Sequence, residues 1–397
     1  MRKELRPLYL AVFIYNSAML WVAWKMLIGN RAKYLGIVFG VMFAALLIAQ
    51  QSSIFCGLMS LTISQIRDVE GPDIWVMDRN VQFVDDVKPL ADTELFRVKG
   101  VSGVAWAVRF YKGIARARLQ EGSYEQMILL GLDDATLVGA PEGVFMGSMA
   151  DLRAPDAVII DEAGYRRIWP GDALRLGRVF EMNDRRAVLV GITRASRTFQ
   201  SFPIVYTRYS QAVLFAPPER KVLSFVLAEA EPGVPAEQVC LRIEAETGLQ
   251  ALTKQQFIRK TIRYYLAKTG IPVNFAITVL LGFIVGTAIA GQTFYLFTVE
   301  NIRQFGALKA MGTSNWTILL MVLSQAMQVG IVGYGVGVGL AAMFGYAVAR
   351  GQSRLSFFMP WQVLAITGVA VFVIVLLASL LSIRKVLVVD PAIVFRG

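Results

Sequence analysis

Four long apolar stretches limit this 397-residue chain more than any other feature. They cover residues 35–58, 271–298, 316–349 and 361–383, and none contains an acidic residue. About 20 apolar residues cross the hydrocarbon core of a bilayer as a helix, so each is long enough to span. Inside lipid the backbone must satisfy its own hydrogen bonds, which makes four helices the expected outcome. Pro272 stands at a tolerated first-turn position of the second stretch, and Trp361 opens the fourth where an interfacial aromatic is expected. Composition agrees: 55% of residues are hydrophobic and only 17% charged, with a mean hydropathy of +0.53. Soluble domains carry about 25% charged residues.

Residues 8–28 are also apolar, but Asn16, Ser17 and Lys25 interrupt them. They are read as a helix lying in the membrane surface, with a fifth span as the alternative. A cleaved signal peptide is not expected, because no small-residue cleavage site precedes Lys25.

Charge orients the chain. Arg2, Lys3, Arg6, Lys25, Arg31 and Lys33 precede the first span, and Arg384, Lys385 and Arg396 follow the last. Basic residues favour the cytoplasmic side, so both termini are expected there. The organisation that follows is a cytoplasmic tail and amphipathic elbow (1–34), the first span (35–58), and an outer domain (59–270). Then come the second span (271–298), a cytoplasmic helix (299–315), the third span (316–349), a short outer loop (350–360), the fourth span (361–383) and a cytoplasmic tail (384–397). The net charge of +11 points to no nucleic acid, because residues 61–270 carry 27 basic and 26 acidic residues. A nucleic-acid binder would place the excess on its folded domain.

Within the outer domain, apolar or alternating runs at Ala157–Ile160, Ala187–Ile192, Phe202–Tyr206, Ala212–Phe215 and Val222–Ala228 predict strands. Helical patterns occur at Ala236–Thr247 and Lys254–Lys268. An α+β domain is expected. Cys56 and Cys240 are too far apart in this plan to bridge, and ordinary packing is expected of both. The acid pairs Asp85-Asp86 and Asp133-Asp134 are read as solvated loop residues.

Several chemistries are excluded. The chain has no histidine, so histidine triads and His-Glu-x-x-His zinc sites are impossible. It has no Gly-x-x-x-x-Gly-Lys-[Ser/Thr] loop, so it carries no P-loop for ATP. No cofactor and no metal are expected on it.

Residues 299–315 connect the second and third spans with more pattern than a connector needs. Glu300, Arg303, Gln304, Phe305, Gly306, Leu308, Lys309, Met311 and Gly312 carry that pattern. Ile302, Phe305, Leu308 and Met311 fall at helical spacing and form an apolar face expected to press on a partner. Two further features lie within the spans. Gln50, Gln51, Ser52 and Ser53 lie near the outer end of the first span, either as an interfacial helix end or as a subunit contact or exit gate. Gly335 and Gly339 of the third span allow close helix approach, read either as tight packing within one subunit or as a kinked, moving helix; Gly282 and Gly286 of the second span pose the same choice and could also close a dimer contact or gate.

Arg303 to Gly312 matches Arg-x-Phe-Gly-x-Leu-Lys-Ala-x-Gly throughout, and so resembles the coupling segment of the MacB/FtsX type of ABC transporter permease. The stretch from Asp156 to Gly164, then Pro170-Gly171-Asp172 and Ala187–Ile192, is similar to the MacB-type periplasmic domain. Trp21–Lys25 to Asn30–Tyr34 looks like that family's elbow. Val389–Gly397 resembles its closing Asp-Pro-x-x-x-Leu-Arg-Gly, with Phe395 in the leucine position. The absence of a fused ATPase looks more like the DevC branch.

The resemblance implies an α-helical membrane protein with four transmembrane helices and an inserted, MacB-like α+β periplasmic domain. Its setting would be a bacterial inner membrane. It implies a homodimer and a separate cytoplasmic ABC ATPase that binds ATP and Mg. It also implies a periplasmic adaptor (membrane fusion protein) and a TolC-like outer-membrane channel. The expected function is the permease of an ATP-driven exporter. The alternatives are an FtsX-like regulatory mechanotransmitter and a lipoprotein-release permease. An outer domain of this size favours export.

Overall fold

In the computed structural model, the described residues run from 19 to 387, without Leu20, Gln120, Glu142, 218–222 and 351–354. The first eighteen residues and the closing Val389–Gly397 motif lie outside them. The chain divides into a membrane unit, Met1–Gly57 with Gly270–Gly397, and an outer unit, Leu58–Thr269.

The membrane unit opens with helix α1 (residues 21–29), a break at Asn30, and α2 (Arg31–Thr62). Helix α2 is longer at both ends than its apolar run, because helical hydrogen bonding continues past the last lipid-facing residue. The outer unit then contains α3 (Ser64–Asp68), β1 (Ile74–Met77), α4 (Glu94–Lys99), β2 (Val104–Arg118), β3 (Tyr124–Leu132) and β4 (Val144–Gly147). It continues with β5 (Ala157–Asp161), α5 (Glu162–Ile168), β6 (Val179–Met182), β7 (Arg185–Thr193), β8 (Ile204–Arg208) and α6 (Tyr209–Phe215). It ends with β9 (Phe225–Ala230), α7 (Ala236–Thr247), β10 (Gln250–Thr253) and α8 (Lys254–Lys268).

Its strands follow the order β10-β1-β9-β2-β3-β8-β5-β7-β4, with β6 pairing β2 and β7. Strand β2 is the joint of the sheet. Its first half, to Phe110, pairs with β9, and from Tyr111 onward it pairs with β3. Most pairs are antiparallel; β3/β8 and β5/β7 are parallel. Apolar cores lie on both faces. One centres on Trp75, with edge contacts to Phe110 and Phe225. The other contains Tyr165, Trp169 and Phe215.

The expected helices at 236–247 and 254–268 are present with those bounds. Thr253 and Gln256 form a reciprocal cap at the start of α8, which fixes where it begins. The expected strand at Ala212–Phe215 is instead the end of α6. Tyr209, Ala212 and Phe215 are its buried residues, and that spacing of three belongs to a helix. A four-residue apolar run is too short to show its period. Of the acid pairs, Asp85 departs from the solvated reading, while Asp133 and Asp134 stay in an exposed loop and bond to nearby groups there. Asp85 pairs with the buried Lys112. Asp133 accepts hydrogen bonds from the Ala135 and Thr136 amides, and Asp134 from the Ser210 amide and hydroxyl. Both cysteines are free, with Cys240 buried and Cys56 half-buried.

Asp161 is expected to make the stability of this unit depend on pH. Its carboxylate accepts from the amides of Gly164 and Ile204, joining β5, α5 and β8. Burial nevertheless raises its pKa to about 6 from 3.8. A carboxyl whose folded pKa is raised holds a proton in the folded state that the unfolded chain has released. Its contribution to stability is therefore complete below pH 4 and lost as pH rises through 6, by about 2–3 kcal/mol. Thermal melts from pH 4 to 7 should show that decline, and Asp161→Asn, which still accepts both amides, should flatten it. An unchanged slope in the variant would assign the decline to another group.

The chain re-enters the membrane unit as α9 (Ile271–Glu300), α10 (Ile302–Ala310), α11 (Asn315–Arg350) and α12 (Trp361–Leu387). Among the described residues, α2 and three of these make four helices long and apolar enough to cross a membrane. Glycines set their spacing. A Cβ on Gly286 would run into the Cβ of Ala44 on α2, and one on Gly282 would lie 3.2 Å from Leu47. These two glycines are thus used up inside one chain, between α2 and α9, and do not form a surface left for a second copy. On α11 the contact belongs to Gly333 and Gly337, whose Cβ atoms would meet Val41 at 2.7 Å and the carbonyl of Met42 at 2.6 Å. Gly335 and Gly339, at the same spacing of four, have no atom within 4 Å of a Cβ. The sequence shows the spacing but not which of two glycine rows faces the neighbour. Gly337→Ala should therefore lower the melting temperature in detergent by several degrees, whereas Gly335→Ala and Gly339→Ala leave it unchanged or raise it. Equal effects at all three positions would refute this packing.

Candidate coupling surface

Helix α10 sits in a turn built by its own residues. Helix α9 ends at Asn301, whose side-chain amide donates to the carbonyl of Phe297 at 2.7 Å. After α10, Gly312 adopts φ +90°, which favours glycine. The amide of Thr313 donates back to Leu308 at 3.1 Å and that of Gly312 to Lys309 at 2.9 Å. This pair of bonds closes a helix end and satisfies its last carbonyls. Ser314 then caps α11 by accepting from the Thr317 amide. The Met-Gly-Thr-Ser sequence is thus a stop followed by a start.

The two faces of α10 have separate roles. Phe305 is fully buried in the cluster that contains Phe294, Phe297 and Ile318. Leu308 packs with Ala23 of α1 and Met321 of α11. Gly306 is buried too. Lys309 donates to the carbonyl of Leu387 at the end of α12, at 2.8 Å. Glu300 pairs with Lys33 at the start of α2. The Phe305, Leu308 and Lys309 contacts hold α10 to its own membrane unit, and the Glu300–Lys33 pair ties α9 to α2 beside it.

The expectation that Phe305 and Leu308 press on a partner is therefore corrected. The apolar stripe of a short amphipathic helix goes to the nearest large apolar surface, and here that is the chain's own spans. Arg303, Gln304, Met311 and Gly312 remain exposed. Met311 is 73% exposed, and Trp316, which sequence reasoning assigned to the third span, is 67% exposed five residues later at the start of α11. Its position one turn past the coupling motif was the available signal.

The polar group of the first span is less distinctive. Gln50, Gln51 and Ser52 are half-buried. Ser53 is buried, and its hydroxyl donates to Ala49 of its own helix at 2.7 Å. Its carbonyl accepts from the Phe358 amide at 3.0 Å, so the segment before α12 leans on this part of α2. Sequence reasoning missed Gln325, which is fully buried in α11 and donates to the carbonyl of Ala23 in α1 at 2.7 Å. A lone glutamine within an apolar run gives no sign of its partner. Among the described residues no cluster of His, Cys, Asp or Glu could hold a metal ion.

Residues 274–391 match the sequence family described as FtsX-like permease C-terminal. The chain is 25% identical over 342 residues to the uncharacterized ABC transporter permease Rv0072 of Mycobacterium tuberculosis H37Rv, which covers 83% of this chain and 86% of that protein. It is 26% identical over 317 residues to the uncharacterized ABC transporter permease Mb2592 of Mycobacterium bovis, covering 78% and 80%. Among solved structures it is similar to the extracellular domain of the noncanonic ABC-type transporter YknZ from Gram-positive bacteria. That match has a TM-score of 0.34 at 14% identity, over 46% of this chain and 98% of that one. The periplasmic region of MacB from Actinobacillus actinomycetemcomitans matches with a TM-score of 0.36 at 14% identity, over 50% and 95%. The FtsX-like match takes in α10 with the spans that hold it, and the similarity to ABC transporter permeases extends over most of the chain: this protein carries an FtsX-like permease domain and is similar along most of its length to ABC transporter permeases.

Proposed function

We propose that this permease is the membrane subunit of an ATP-driven export system and couples to a separate cytoplasmic ATPase through α10. The observation that carries the reading is the division of α10 into a buried root and an exposed edge. Arg303 and Gln304 on α10, Met311 at its end and Trp316 at the start of α11 are each exposed, and they supply the mixed basic and apolar chemistry that enters a groove on a partner. ATP and Mg belong to that partner, since this chain has no P-loop.

A push on the edge is delivered to α9, α11 and α12 through Phe305, Leu308 and Lys309. The Lys33–Glu300 pair ties the ends of α2 and α9, the two helices through which the chain continues into the outer unit. The outer unit would work with a periplasmic adaptor and an outer-membrane channel, as in DevC-like systems. The permease would act as a symmetric dimer, the commonest closed arrangement.

Topology is the first test. In a cysteine-free background, a membrane-impermeant thiol reagent added from outside should label a cysteine introduced at Ser123 and leave one at Gln304 unlabelled until the membrane is opened. Both positions are exposed. Outside labelling at position 304 would remove α10 from the ATPase side and end the proposal.

A further inference from the structure

Helix α1 has two unlike faces. Ala23 and Leu27 are fully buried. Ala23 packs with Leu308 of the coupling helix and Met321 of α11, and its carbonyl accepts the buried Gln325 amide. Trp21, Trp24 and Lys25 lie on the other face and are exposed, with the Lys25 ammonium 5.4 Å from the centre of the Trp21 ring. Arg31, just past the break at Asn30, is exposed as well. No acidic residue occurs between Glu4 and Asp68.

Indole rings prefer the headgroup level of a bilayer, and ammonium and guanidinium groups beside them meet lipid phosphates there. An exposed tryptophan pair flanked only by cations fits a negatively charged surface.

We propose that the exposed face of α1 binds anionic phospholipid headgroups, and that this binding braces the coupling helix through Ala23, Leu308 and Gln325. The bilayer would then set how firmly α10 is held against its spans, so that lipid charge tunes coupling. The effect of this bracing on ATP hydrolysis rests on the function proposed above; the lipid site and the bracing do not.

The test uses the full chain in vesicles of phosphatidylcholine alone and of phosphatidylcholine mixed with phosphatidylglycerol. Amide hydrogen exchange is read over residues 21–29 and over 302–313. Phosphatidylglycerol should slow exchange in both segments, and added salt should reverse it. Lys25→Gln and Arg31→Gln should each weaken the lipid response about fivefold at low salt, and Lys25→Arg should preserve it. Gln325→Leu should keep the slowing over 21–29 and lose it over 302–313. That substitution is close in size; it removes an oxygen with no hydrogen-bond partner among the described residues together with the amide that donates to Ala23, and a thermal melt recorded beside the exchange checks that the fold is kept.

Equal exchange over 21–29 in the two vesicles would overturn the lipid site. Persistent slowing over 302–313 in the Gln325 variant would overturn the bracing. If both exchange responses appear while no ATPase is stimulated in either vesicle, the export reading fails and the lipid site stands.

Discussion

Arg303→Glu combined with Met311→Asp should abolish stimulation of the partner ATPase while the protein is still inserted at its normal level and melts at its normal temperature. Both side chains lie on the exposed edge of α10. Neither has a structural role among the described contacts, so their loss leaves the fold alone. Placing two acids where a cation and a long apolar side chain entered a groove should cost at least about 2 kcal/mol, or roughly thirtyfold in affinity. Trp316→Ala should weaken binding in the same direction. Phe305→Ala should behave in the opposite way. Removing a buried phenylalanine costs about 3–5 kcal/mol in a soluble core. Phe305 lies on the helix between two spans and not within one, and a stability loss of about that size is expected. Its coupling defect should track the loss of folded protein. ATPase stimulation by purified, reconstituted permease, measured beside thermal melts, separates the two classes. If Phe305→Ala uncoupled at full stability, or the double variant kept full stimulation, the division of α10 into root and edge would be wrong.

Asp85→Ala should be the most damaging single change in the outer unit. Lys112 lies on β2 just where that strand leaves β9 for β3. Its ammonium is buried, held by Asp85 and by the carbonyl of Val84 at 2.9 Å. Beside the pair is a cavity of about 410 Å³, lined in part by Asp86, Tyr111 and Ser224. Burial lowers the Lys112 pKa, and the carboxylate of Asp85 opposes that shift. Removing Asp85 leaves an uncompensated buried cation, at a cost of about 3–5 kcal/mol. The double variant Asp85→Leu with Lys112→Met should recover much of that loss, because no charge is then stranded.

The single variant should also show a steeper pH dependence than the unmodified protein, in which Asp85 opposes part of the shift. Without Asp85 the folded ammonium gives up its proton more easily than an unfolded lysine does. The unfolded chain then binds more protons, so stability should rise with pH toward 10.5. Urea unfolding from pH 7 to 10 measures both effects. A flat profile, or a double variant no better than Asp85→Ala, would mean the pair is not what holds this region.

Much of the architecture is visible in residue order alone. Uninterrupted apolar length makes a membrane helix because lipid leaves the backbone no other way to satisfy its hydrogen bonds. That argument is local, and it holds for all four long helices. It also holds for α7 and α8, whose periodicity extends over enough residues to be read and whose ends are punctuated by Gly248 and Thr253. The coupling segment is legible for a related reason: Gly312, Thr313 and Ser314 state a helix end and a helix start in consecutive residues.

The tertiary structure alone decided which face of each element is used. Arg303 and Phe305 are two residues apart, yet one is exposed and the other fully buried, because α9, α11 and α1 supply an apolar bed on one side only. Gly335 and Gly337 carry identical chemistry, and only the rotation of α11 against α2 separates the free one from the packed one. Strand β2 went unseen because it changes partners at Tyr111 and is buried on both faces around that point, which erases the alternation that marks a strand. Lys112 and Asp85, or Gln325 and Ala23, become a pair only when segments 27 and 302 residues apart meet. Residue order determines which helices and strands a chain can make from interactions a few residues long. Long-range packing determines which of their faces are spent on the fold and which are left for a partner.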